Sequence, residues 1–101
     1  MPALHSKEEW RQAREELHEQ LVDWDPFALG ASGAPRDEYD VLVFPLMRRL
    51  DEGADAEETA HWLAAELPRR FGSTPSAAEI ANFSRRLTKW FHARWPTPTA
   101  P

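Results

Sequence analysis

The chain has 101 residues, enough for one compact domain and too few for a second independent core. With 42% apolar and 29% charged residues, and five Trp among its aromatics, it can bury a core and is not a disordered polymer. It contains no cysteine, which excludes disulfide frameworks, thiolate metal sites and cysteine nucleophiles.

The formal net charge is −5, and its distribution is lopsided. Residues 1–58 carry six basic and fifteen acidic side chains, whereas residues 59–101 carry six and two. The acidic total disfavours general affinity for nucleic acid, yet the C-terminal part taken alone is basic. The two parts can face each other within the fold, which would neutralise both. The segment Met1 to Glu9 has no apolar run of the signal-peptide kind, and no apolar stretch approaches a membrane span. A soluble, cytoplasmic protein without membrane contact is the expectation.

The first predicted helix covers about residues 7–22. Ser6 and Glu9 have capping-box spacing, and Trp10, Ala13, Leu17, Leu21 and Trp24 recur at intervals of three and four. The opposite face holds Glu8, Glu15, Glu16, Glu19 and Asp23, a solvated acidic surface. Trp24-Asp25-Pro26-Phe27 follows, in which Asp25 can cap and Pro26 can open a short helical turn, and then the flexible run Gly30 to Pro35.

The second helix is predicted from Asp37-Glu38, whose charges suit a helix N-terminus, to about Glu52, where Gly53 ends it. Tyr39, Leu42, Val43, Leu46 and Leu50 form one stripe, while Val41, Phe44 and Met47 fall off it, so the helix is apolar nearly all round. Such a helix is normally buried on several sides. The expectation is therefore a central helix with the other three around it, slightly bent at Pro45. The alternative is that Val41 and Phe44 protrude as a partner-binding patch.

Asp55 and Glu58 open the third helix, which is expected to reach about Arg70 before Gly72. Ala56, Ala60, Leu63, Leu67 and Phe71 are its buried stripe, and Trp62 lies off that stripe beside His61. Trp62 is thus a candidate interface anchor, or else a cover for the 24–36 loop. The fourth helix opens at Thr74-Pro75 or at Ser76 with Glu79 and runs to about Trp95. Ile80, Phe83, Leu87, Trp90 and Phe91 form its stripe, leaving Arg85, Lys89 and His92 on the far face with Arg86 and Asn82 at its edge, a basic surface. The Pro/Thr tail 96–101 cannot continue a helix and is expected to fray. The expected architecture is an all-α, compact four-helix domain.

Two Glu-x-x-His sequences, Glu15 with His18 and Glu58 with His61, have the spacing that di-iron bundles use, but their predicted faces point away from the apolar stripes. Asp37, Glu38 and Asp40 form an acidic cluster that coincides with a helix start. No phosphate loop, dinucleotide glycine pattern, His-Glu-x-x-His or Gly-x-Ser-x-Gly is present. Neither an enzyme nor a bound cofactor or metal is expected.

Trp24-Asp25-Pro26-Phe27, followed by Asp37-Glu38-Tyr39-Asp40 and a hydrophobic helix ending in Gly53-Ala54-Asp55, resembles the YugE-like small bacterial proteins of unknown function. The resemblance spans roughly residues 10–70 and implies a small all-helical domain, with no activity. Ala28-Leu29 stands where that pattern has Gly-Val. From the residues themselves, Trp24 and Tyr39 can pin the loop to the core, with Asp25 or Asp40 accepting hydrogen bonds in structural roles.

Two functions remain open. One is a non-catalytic protein-binding module, of the inhibitor or immunity type, that steers a basic partner with Glu8, Glu15 and Glu19 and anchors it on Phe44 or Trp62. The other is a nucleic-acid-associated domain using Arg85, Arg86, Lys89 and Arg94. A homodimer pairing the acidic first helix with the basic fourth is compatible with either.

Overall fold

A computed structural model of the chain describes residues 4–27 and 39–96. It contains four helices, α1 (Lys7–Trp24), α2 (Asp40–Asp51), α3 (Ala56–Phe71) and α4 (Ala77–Arg94), and no strand among the described residues. The all-α four-helix expectation therefore holds. The predicted start of α2 at Asp37-Glu38, the run Gly30 to Pro35 and the tail beyond Pro96 lie outside the described residues.

The starts of α1, α3 and α4 are each fixed by a side-chain oxygen that accepts one of the otherwise unpartnered first-turn amides, whereas α2 follows Tyr39 with no side-chain cap. Ser6 accepts from the Glu9 amide at 3.1 Å, and Glu9 reaches past the cap to the His5 amide at 2.7 Å. Asp55 and Glu58 form the full reciprocal box, at 2.8 and 3.2 Å. Ser76, not Thr74, caps α4 through the Glu79 amide. Gly72 closes α3 with φ +74°, a left-handed conformation in which a Cβ would be strained, and its amide reaches the Pro68 carbonyl at 2.9 Å.

The core lies between the four helices. Ala13, Leu17 and Leu21 of α1, Leu42, Leu46 and Leu50 of α2, Leu63 and Leu67 of α3, and Leu87 and Phe91 of α4 are all fully buried. α3 and α4 form the most extensive helix pair and α1 with α2 the next, while α2 also touches α3 and α4. Asp51, buried at the end of α2, accepts the Leu4 amide at 2.7 Å and so ties the N-terminal segment to the core.

Asp25 and Phe27 meet Tyr39 in one structural knot. Asp25 ends α1 in the left-handed region, with φ 42° and ψ 61°, and is its C-cap rather than the cap of a following turn. The Tyr39 hydroxyl donates to Asp25 Oδ1 at 2.7 Å and accepts from the Phe27 amide at 3.3 Å. The Trp24 ring stacks on Phe83 at 4.1 Å, and Phe71 receives both Phe27, at 4.9 Å, and Tyr39, at 5.7 Å. These contacts lock the C-terminal ends of α1 and α3 to the start of α2, the structural role that the residues suggest for Asp25.

Candidate functional site

α2 exposes large apolar side chains. Its inward side is complete with Leu42, Val43, Leu46, Met47 and Leu50, yet Val41 is 47% and Phe44 60% exposed. This corrects the expectation that an all-round apolar helix is enclosed. α1, α3 and α4 pack on α2, but they leave the strip carrying Val41 and Phe44 uncovered. Phe44 leans instead on the half-buried Trp10 of α1, ring centroids 6.2 Å apart.

Two open grooves meet at Phe44. One, about 310 Å³, is lined by Lys7, Trp10, Arg11, Arg14, Phe44 and Met47. The other, about 390 Å³, is lined by Arg14, Glu15, His18, Asp40, Val43 and Phe44. Lys7, Arg11, Arg14 and His18 follow one another at spacings of four, three and four, so they form one stripe of α1 beside the apolar strip of α2. Arg11 pairs with Glu8, and its guanidinium pKa is raised by that hydrogen bond, by the Glu8 charge and by Glu15. His18 Nε2 lies 3.2 Å from Asp40 Oδ1.

The other flank of α1 is closed. Glu16 accepts the Trp90 indole N–H at 3.0 Å and two guanidinium N–H groups of Arg94, at 3.2 and 2.8 Å. The Arg94 hydrogen bond leads in holding the Glu16 carboxyl below its ordinary range, with Trp90 and the Arg94 charge adding to it against partial desolvation. The acidic first helix and the basic fourth thus pair within the chain at this point. Arg94, which also lies over Trp95 at 4.9 Å, is held in place by Glu16.

The remaining predicted residues fall in three places. Trp62 is half-buried, not a free anchor: Arg49 of α2 sits 5.3 Å above its ring, and both line a groove of about 530 Å³ with Asp55, Glu57, Glu58 and His61. Arg85, Arg86 and Lys89 are exposed on α4, Arg85 bonded to Asn82 and Arg86 lying 5.7 Å from the Phe83 ring. Glu8, Glu15 and Glu19 are exposed on α1. The two Glu-x-x-His pairs line different grooves, one at the α1–α2 seam and one beside Trp62. His92 is fixed by its Nε2–H, which donates to the Ala54 carbonyl at 3.1 Å because a carbonyl can only accept.

The fold defines a four-helix domain in which, among the described residues, the most exposed large apolar side chains lie on one strip of α2. No protein-family model, curated protein or solved structure matches the chain. Among the described residues, no helix is long and apolar enough to cross a membrane.

Proposed function

We propose that this chain is a non-catalytic protein-binding module whose contact surface is centred on Phe44. The observation that carries the reading is the 60% exposure of Phe44 beside Trp10 and Val41, where the other large apolar side chains among the described residues are buried or half-buried. Burying a Phe side chain is worth about 1.5–3 kcal/mol, so a ring left outside a well-formed core is a standing source of binding energy. Contiguous exposed apolar surface rimmed by polar groups is the usual anatomy of an interface. A small helical domain with such a face suits inhibitor or immunity-type action, in which occupying the partner's surface is the whole effect.

The test is capture from a lysate of the source organism by the wild-type chain and by Phe44→Asp, each with and without nuclease. A stoichiometric protein held by the wild type in both lysates and lost by the variant is the expected result. Equal capture by the variant would remove the Phe44 face from the account. Capture abolished by nuclease would support the second reading, nucleic-acid association through the exposed Arg85, Arg86 and Lys89 of α4.

A further inference from the structure

We infer that the α1–α2 seam takes an acidic amphipathic helix of a partner protein, with an apolar side chain seated among Trp10, Phe44 and Met47 and carboxylates on Lys7 and Arg14. This deepens the binding-module reading and rests on it. The decisive feature is the charge of the groove. Among the described residues its lining holds three cations and three apolar side chains and no carboxylate, although the chain as a whole is acidic. Arg11 is already engaged by Glu8, which leaves Lys7 and Arg14, both exposed, at the two ends of the groove. Arg48, also exposed, stands one helical turn beyond Phe44 on α2.

The dimensions favour a helix over a compact ligand. Phe44 and Arg14 line both grooves, so the two run together along the seam. From Lys7 to His18 the stripe rises roughly 16 Å, about three helical turns, which is long enough to hold the roughly 10 Å spanned by helix anchors at i, i+4 and i+7. A second copy of this chain fits poorly, because a two-fold contact here would set the basic rims against each other. An anionic membrane surface is disfavoured as well, since Glu8, Glu15 and Asp40 flank the same strip and would meet lipid phosphates. An acidic helix would make its charged contacts in the Trp10 groove, between the basic stripe and Phe44, while Glu15 and Asp40 line the adjoining groove. The acidic strip of Glu8, Glu15 and Glu19 borders this seam without lining the Trp10 groove, so the partner that fits the aromatic anchor is acidic and not basic.

Three probes added to the isotope-labelled chain at low salt test this. They are a four-turn peptide with Leu at i, i+4 and i+7 on a Glu/Ala helix, the same peptide with Lys for Glu, and vesicles of anionic phospholipid. The acidic peptide is expected to shift Trp10, Phe44 and Arg14 resonances selectively, with affinity falling as salt rises. Lys7→Glu combined with Arg14→Glu should weaken it about tenfold or more, and Phe44→Ala should weaken it independently of salt. A basic peptide that binds the same residues as well as the acidic one would overturn the inference while leaving a protein-binding face. Vesicle binding in place of peptide binding, or concentration-dependent shifts of Phe44 in the chain alone, would overturn it in favour of lipid or a second copy. If no probe moves these resonances the acidic-helix inference falls, and the protein-binding reading is decided separately by the lysate comparison.

Discussion

The two flanks of α1 treat charge and aromatic surface in opposite ways. Toward α4, Glu16 gathers Trp90 and Arg94 into a half-buried set in which the carboxylate accepts from both. Toward α2, Phe44 stays open to solvent beside the half-buried Trp10, and Lys7 and Arg14 line the groove beside them with no carboxylate among the described residues of its walls. The same eighteen-residue helix thus contributes a finished contact on one side and an unfinished one on the other. The difference teaches that net charge and total apolar content are poor guides to where a small domain binds. What counts is which side chains lack a partner on the helix opposite.

The comparison can be broken first through the stripe both flanks share. Leu17 is fully buried, so Leu17→Ala should cost about 2–5 kcal/mol in urea denaturation and loosen both seams together. A loss near zero would mean that α1 is not a core helix. Next, Tyr39→Phe removes the hydroxyl that joins Asp25 to the Phe27 amide, and a loss of about 1–2 kcal/mol is expected without effect on peptide binding at Phe44. Binding that weakens in step with stability would show the knot and the groove to be coupled.

The closed flank is sharpened by pH. Because the folded Glu16 carboxyl is held below its ordinary range, its stabilisation is fully present above that range and disappears as pH falls through the folded-state value. Glu16→Gln should therefore be less stable than wild type by about 1 kcal/mol near neutrality, a figure kept small by solvent screening of a partly exposed pair. The two proteins should converge in acid, as denaturation across a pH series would show. A gap that persists in acid would assign the loss to packing and not to charge. The smallest expected effect is that of Phe44→Ala on stability, about 0.5 kcal/mol or less, since the ring is mostly solvated and its contact with Trp10 is loose.

Much of this architecture is legible in the residues. Capping oxygens at Ser6, Asp55 and Ser76 and the glycines after α2 and α3 mark the helices because each signal is local. The misplaced features are those decided by a neighbouring helix. Val41 and Phe44 read as core because an all-round apolar helix is normally enclosed, but enclosure requires a helix on that side and, among the described residues, none packs there. Trp62 reads as a free anchor because the residue above it, Arg49, comes from α2. Glu16 and Arg94 lie in separate charged surfaces of the sequence and meet only once α1 and α4 pack. The basic stripe of Lys7, Arg11, Arg14 and His18 was present as four-three-four spacing, yet the acids between those residues obscure it in any count of charge.

The central claim is that the Phe44 strip serves binding and not the integrity of the fold. The most direct measurement is made on Phe44→Asp alone, following urea denaturation and partner capture on the same preparation. The account predicts a denaturation midpoint close to that of the wild type together with loss of the captured protein. A variant that unfolds at much lower urea, or one that is equally stable and still holds the partner, would contradict it.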